Sequence, residues 1–303
     1  MASFLIGKRS FMKKILILGA TGLLGSRMLE NFENATGTYL SSTTRSGEAL
    51  YYLDGGDEKL LNEIVNKVRP DVILNCIGLA NLDECEKFPE KCWLINTKIP
   101  VLVSRLCQER QIKFIQISTD NFSNDEKQPL RENDRMNFVN QYGFAKYYSE
   151  RLVLKINPNS LILRVNFFHF NSVEPKTFID NLIKKIKNKE FEYSFTDVIF
   201  TPVSTQTLIS YLKILIELDS SGIINVASSE AISKYEFHDL VLGALNLDTY
   251  YHKMSQIDKV KLNAQRPKQM SLNNSKLLHL TNVAMPSISD MITHEINYCL
   301  NRS

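Results

Sequence analysis

Residues 15–25 read Ile-Leu-Ile-Leu-Gly-Ala-Thr-Gly-Leu-Leu-Gly, an apolar run that passes directly into three glycines spaced three apart. Four consecutive aliphatic residues read as a strand covered on both faces, and residues 23–32 read as the helix that follows. Between them the chain must turn tightly. Missing Cβ atoms at Gly19, Gly22 and Gly25 let backbone N–H groups approach a pyrophosphate at the positive end of that helix. The spacing is Gly-x-x-Gly-x-x-Gly rather than Gly-x-Gly-x-x-Gly, so its weight comes from its place at the first turn of a βαβ pattern. Gly19, Thr21, Gly22, Leu23, Leu24 and Gly25 are therefore the candidate dinucleotide-binding loop.

Outward from this loop, short apolar runs alternate with longer helix-like stretches. Segments 36–40, 50–53, 71–76, 113–118 and 161–165 read as strands, and 58–68, 91–109 and 141–155 as helices. Strands separated by helices imply right-handed crossovers and a doubly wound parallel sheet of the Rossmann type. After residue 166 the pattern loosens into helices at 176–189, 204–218 and 234–245 with a strand at 223–227. The expected organisation is a dinucleotide-binding domain at 12–165, to which 203–227 returns. A smaller α+β substrate lobe takes 166–202 and 228–303, and 1–11 reads as an N-terminal extension.

Composition narrows the function classes. The 303 residues are 44% hydrophobic and 23% charged, which excludes intrinsic disorder. A net charge of +3 is too slight to predict nucleic-acid or membrane binding. Five cysteines without a Cys-x-x-Cys pair point to a reducing, cytoplasmic setting, and no His lies near them to complete a metal site. No run approaches the roughly 18 apolar residues of a membrane helix.

The second strand bears on the cofactor. An acid about 20 residues beyond the glycine loop would bind a ribose 2′-hydroxyl. The segment instead reads Thr38-Tyr-Leu-Ser-Ser-Thr-Thr-Arg45. Its hydroxyls, Ser41 among them, and Arg45 suit a 2′-phosphate, which favours NADPH and leaves NADH open. Asp54, ending the third strand, either meets the adenine edge or caps the next helix. Further on, the strand at 113–118 ends in Ser118-Thr119-Asp120, at the sheet edge where α/β folds bind ligands. Tyr142 and Lys146 stand one helical turn apart on one face. A phenol of pKa about 10 needs a neighbouring ammonium to act near neutral pH. Lys146 can supply it and hold a nicotinamide ribose, with Ser118 or Thr119 bonding the substrate oxygen.

Taken together, the chain resembles the extended short-chain dehydrogenases/reductases, and most of all the dTDP-4-dehydrorhamnose reductase family. The resemblance runs from Met12 through Gly19 to Gly25, Gly37-Thr-Tyr, Pro70-Asp-Val-Ile-Leu-Asn75, Asn81-Leu-Asp-Glu-Cys-Glu86, Asn96, Ser118-Thr-Asp120, Tyr142-Gly-Phe-Ala-Lys146 and Arg266-Pro267. It implies that Thr119, Tyr142 and Lys146 are the catalytic set and that Asn96 supports the lysine through water. Asp83, Ser118, Asp120 and Arg266 are the candidate substrate contacts, Arg266 as a bidentate partner for a diphosphate. The activity implied is NADPH-dependent reduction of a keto group on a nucleotide-activated sugar. A cycling epimerase or dehydratase, or a non-catalytic NADP-binding regulatory subunit, would keep the same motifs. A homodimer stays open. Where the family continues Ser-Thr-Asp with Tyr-Val-Phe-Asp-Gly, this chain has Asn121-Phe-Ser-Asn-Asp125, in a loop that borders the sugar.

Overall fold

The structure is a computed structural model and describes residues 13–40, 50–123, 129–170 and 177–300. Its first half runs β1 (Ile15–Leu18), α1 (Leu23–Asn31), β2 (Ala35–Tyr39), β3 (Leu50–Tyr52), α2 (Glu58–Val68), β4 (Val72–Asn75), α3 (Leu82–Lys87) and α4 (Pro89–Trp93). A π-helical stretch, Leu94–Lys98, leads into α5 (Ile99–Arg110), then β5 (Lys113–Ile117), α6 (Gln141–Ile156) and β6 (Leu161–Val165). The helix expected over 91–109 is thus one run that widens at Leu94–Lys98, where Pro100 offers no amide to the preceding turn.

The second half comprises β7 (Phe167–Phe168), α7 (Phe178–Lys187), β8 (Glu192–Phe195), β9 (Ile199–Phe200), β10 (Val203–Ser204), α8 (Thr205–Glu217) and β11 (Gly222–Val226). After these come β12 (Ile232–Ser233), α9 (Lys234–Ala244), β13 (His252–Ser255), α10 (Ser275–Thr281) and α11 (Ile288–Leu300). The short strands and the last two helices carry too little periodicity to be read from sequence.

Seven strands form one parallel sheet in the order β11-β6-β5-β4-β1-β2-β3. From β1 the chain steps outward to β3 and then returns to place β4 on the other side of β1. That reversal opens a crevice at the carboxyl ends of β1 and β4. Alternate residues of each strand serve opposite cores. Ile15, Ile17, Val72 and Leu74 face α1, α8 and α11, whereas Leu16, Leu18, Ile73 and Phe114 face α2, α5 and α6. Because both faces are covered, β1, β4 and β6 are buried at every position, which is why they read as unbroken apolar runs.

Residues 228–303 read from sequence as substrate lobe, but α11 returns to the glycine-loop side. Arg27 of α1 lies 4.6 Å from the centroid of the Tyr298 ring and 3.8 Å from Glu295. A cavity of about 770 Å³ opens at the amino-terminal edge of the sheet beside Lys13, Asp71, Lys113 and Asp219. It lies at the opposite end from the crevice. Among the described residues, no helix is long and apolar enough to cross a membrane.

The glycine loop is a packing constraint as well as a turn. Gly19 has φ +76°, a left-handed conformation that side chains disfavour. A Cβ on Gly25 would lie 2.1 Å from the Gly19 carbonyl oxygen, so α1 sits against β1 only because that atom is missing. Gly25→Ala therefore forces backbone from backbone and lowers stability by about 1–3 kcal/mol in urea denaturation. An unchanged midpoint would contradict the close approach.

Candidate active site

Four loops meet at the crevice. After β1, Ala20 N–H donates to the Thr38 carbonyl at 2.8 Å and Gly19 N–H to the Thr38 hydroxyl at 3.1 Å, which ties the glycine turn to β2. Helix α1 begins with Gly22 at its N-cap, where no side chain bonds the first-turn amides. Those amides have no intrahelical acceptors. With Cβ atoms missing at Gly19, Gly22 and Gly25, the turn fits a dinucleotide pyrophosphate. Gly22 and Leu23 are exposed and Thr21 half-buried, while Leu24 is buried in the core and contributes only its backbone.

The adenosine side is described in part. Ser41 and Arg45 lie outside the described residues. Asp54 is exposed and accepts from Gly56 N–H at 3.2 Å. It does not cap α2, contrary to one of its two expected roles. Asp57 does so by accepting from Leu60 N–H at 2.9 Å, because it stands at the residue before the first turn.

Beyond β4, the Asn96 side chain sits in the π-helical stretch and bonds both backbone groups of Leu79 at 3.0 Å. It fixes the loop after β4 directly. Asn75 donates to Gln116 at 2.8 Å, and Gln116 donates to the Ile117 carbonyl at 2.7 Å. The same carbonyl accepts from the Lys146 ammonium at 2.6 Å. Lys146, Tyr142 and Glu150 follow one another at intervals of four on α6, so one stripe of the helix faces the end of β5.

The Thr119 hydroxyl lies within hydrogen-bond reach of the Tyr142 phenol and also accepts from Asn121 N–H at 3.1 Å. Burial pushes the phenol above its usual pKa, and the Thr119 bond opposes that rise only in part. This corrects the expectation that Lys146 lowers it: the ammonium is drawn to the Ile117 carbonyl, and burial dominates at Tyr142. Lys146 itself is lowered to about 8 by burial, opposed by Glu150.

Ser118, expected at the substrate, donates instead to Glu150 at 2.6 Å. Glu150 holds Arg164 through three contacts of 2.6–3.1 Å, with both side chains fully buried. Neither residue stands in a motif that marks it in the sequence. The signal for the pair was Glu150 standing two turns after Tyr142 on the same face. Asp120 is buried and accepts from the Asn166 amide at 2.8 Å. Burial raises its carboxyl to about 6.

Asp83 and Arg266 come together, with the guanidinium 3.3 Å from the carboxylate, which also accepts from Ala264 N–H at 3.0 Å. Arg266 donates further to the Ala264 carbonyl at 3.1 Å. Its charge is therefore already matched, and a diphosphate would have to compete with Asp83. The Asn121 departure from the family pattern has a structural use. Asn140 donates to the Asn121 side chain at 2.7 Å and to the Gln265 carbonyl at 2.9 Å, while its own oxygen caps α6 at Gly143. One amide thus joins the β5 loop, the start of α6 and the second lobe.

A glycine turn at the switch point beside a threonine–tyrosine–lysine group is the arrangement of short-chain dehydrogenases/reductases, which are NAD(P)-dependent oxidoreductases. Comparison with known proteins narrows this class. The family described as RmlD substrate binding domain matches residues 12–300, and the chain belongs to it. The probable low-salt glycan biosynthesis reductase Agl14 of Haloferax volcanii is 25% identical over 282 residues, which is 90% of this chain and 94% of that protein. Methionine adenosyltransferase 2 subunit beta of Bos taurus is 26% identical over 278 residues, covering 88% and 81%. The crystal structure of dTDP-4-dehydrorhamnose reductase from Bacillus anthracis in complex with NADP superposes with a TM-score of 0.82 at 22% identity, covering 94% of this chain and 99% of that one.

The buried ion pair gives a direct test of how α6 is held. Glu150→Leu leaves the Arg164 guanidinium buried without its counter-charge, which costs about 3–5 kcal/mol. Urea denaturation should show that loss; a change within experimental error would mean that the ion pair does not hold α6.

Proposed function

We propose that this protein reduces a keto group on a nucleotide-activated sugar with NADPH. One observation carries the reading: the Tyr142 phenol, within reach of Thr119 and one turn from Lys146, stands at the carboxyl end of β5, on the same sheet edge as the glycine turn. The names of the reductase relatives supply the substrate class. Residues 12–165 form the cofactor half, to which 203–227 and α11 return, and 166–202 with 228–287 form the substrate lobe.

Amides of the Gly19–Gly25 turn hold the pyrophosphate, Ser41 and Arg45 receive the 2′-phosphate, and Asp54 lies at the adenosine side. NADPH supplies the hydride. As the carbonyl carbon accepts it, negative charge builds on oxygen and a positioned acid must meet it. Tyr142 is that acid. Its raised pKa keeps the phenol protonated at neutral pH, ready to donate. Thr119 holds the phenol and the substrate oxygen in line. Lys146, anchored on the Ile117 carbonyl, carries its charge at neutral pH and holds the nicotinamide ribose.

Tyr142→Phe should lower kcat by roughly 10²–10⁴-fold with folding and NADPH affinity intact. Lys146→Met should lower kcat and weaken cofactor binding together. Loss of reduced-nicotinamide absorbance during turnover measures both, and full activity in Tyr142→Phe would defeat the assignment.

Cofactor choice has its own test. NADPH should bind more tightly than NADH in calorimetry, and Arg45→Ala should narrow the gap; equal affinities in the unmodified protein would remove the 2′-phosphate argument. A second reading is a non-catalytic NADP-binding regulatory subunit, favoured by the likeness to a protein named as the beta subunit of methionine adenosyltransferase 2. The complete Thr119, Tyr142 and Lys146 set favours the enzyme.

A further inference from the structure

The proposed mechanism leaves one charged group at the cleft unused. Lys234 is the first residue of α9, set behind a capping box in which Ser233 and Glu236 bond each other. Its backbone N–H donates to the Val198 carbonyl at 3.0 Å, so the start of the helix is fixed against the segment before β9. The half-buried side chain crosses two rings. Its ammonium lies 3.4 Å from the centroid of Phe200 and 4.8 Å from that of Phe178.

An ammonium has three donors and seeks oxygen. Among the described residues this one makes no hydrogen bond and no ion pair. Among the described residues, Asp120 is the carboxylate that acts on it. Asp120 in turn does not close on the lysine; it is held by the Asn166 amide at 2.8 Å. Two opposite charges from different lobes thus act on each other without forming an ion pair. Burial lowers the ammonium to about 8 and raises the carboxyl to about 6.

A group that fits between them must accept from the ammonium and donate to the carboxylate. A hydroxyl does both, whereas a ligand carboxylate would meet Asp120 with like charge. Asp120 directly follows Thr119, which places the hydroxyl beside the reacting carbonyl. We propose that Lys234, acting with Asp120, is a specificity-determining residue that reads a sugar hydroxyl next to the keto carbon. The inference rests on the keto-sugar reductase reading above and adds which part of the sugar is recognised.

The test compares two nucleotide keto-sugars that differ only in a hydroxyl or a hydrogen at the carbon next to the carbonyl. The unmodified protein should prefer the hydroxylated sugar in kcat/KM. Lys234→Met keeps the stem on both rings and removes the donors, so that preference should fall roughly tenfold to a hundredfold. Most of the change should appear in KM, with NADPH affinity and thermal midpoint held. Lys234→Gln restores a neutral donor and should recover part of the preference, which a merely structural lysine would not do. An unchanged preference in Lys234→Met, or an equal loss on both sugars, overturns the proposal while leaving the reductase reading standing. Failure of the unmodified protein to turn over either sugar overturns that reading and this inference with it.

Discussion

The docking of α6 against the end of β5 is the constraint on which the site depends. Every fourth residue of one helical stripe meets the strand end: Tyr142 at Thr119, Lys146 at the Ile117 carbonyl, Glu150 at Ser118 and Arg164. The last of these contacts sets the others. A carboxylate and a guanidinium taken wholly out of water recover their desolvation cost only when both are fully bonded in one geometry. Here Arg164 uses three contacts to Glu150 and a further bond to the Glu132 carbonyl at 3.3 Å. Sliding α6 by one turn would strand both charges, so the pair fixes the register in which Tyr142 reaches Thr119.

The same strand end is reinforced from the other side. Gln116, itself held by Asn75, and Lys146 converge on the Ile117 carbonyl, and Asn140 ties Asn121 to Gln265. A backbone oxygen shared by two buried donors cannot rotate away without breaking both bonds. A Cβ on Gly143 would lie 2.7 Å from the Asn121 carbonyl oxygen, so the start of α6 also presses on that loop, though less closely than α1 on the glycine turn. The geometry of the candidate site is thus carried by rigid elements, with polar side chains used for position rather than for contact with solvent.

Much of this was legible in the sequence. Strands β1 and β6 and helix α2 fall where the hydrophobic pattern puts them, because both-face burial and a strong amphipathic period leave unambiguous marks. The glycine triplet and the Tyr142–Lys146 spacing were equally plain. What stayed hidden depends on contacts between distant segments. Ser118 reads as a substrate ligand until Glu150 is seen beside it, and Arg266 reads as a free guanidinium until Asp83 is brought within 3.3 Å. Lys234 looks like any helix-start lysine; only the fold sets it over Phe200 and opposite Asp120. The short strands β7 to β10 are too brief to carry a period, and tertiary packing alone defines them.

The central claim is that the α6 stripe and the glycine turn together carry out net reduction of a keto sugar. The most direct measurement follows the hydrogen itself, using NADPH labelled with deuterium at the transferable position of the nicotinamide and a nucleotide keto-sugar in single turnover. The account predicts that the label appears on the former carbonyl carbon of the sugar, one deuterium for each NADP⁺ formed. Conversion of the sugar with the label retained on the cofactor would show that hydride cycles, and would contradict it.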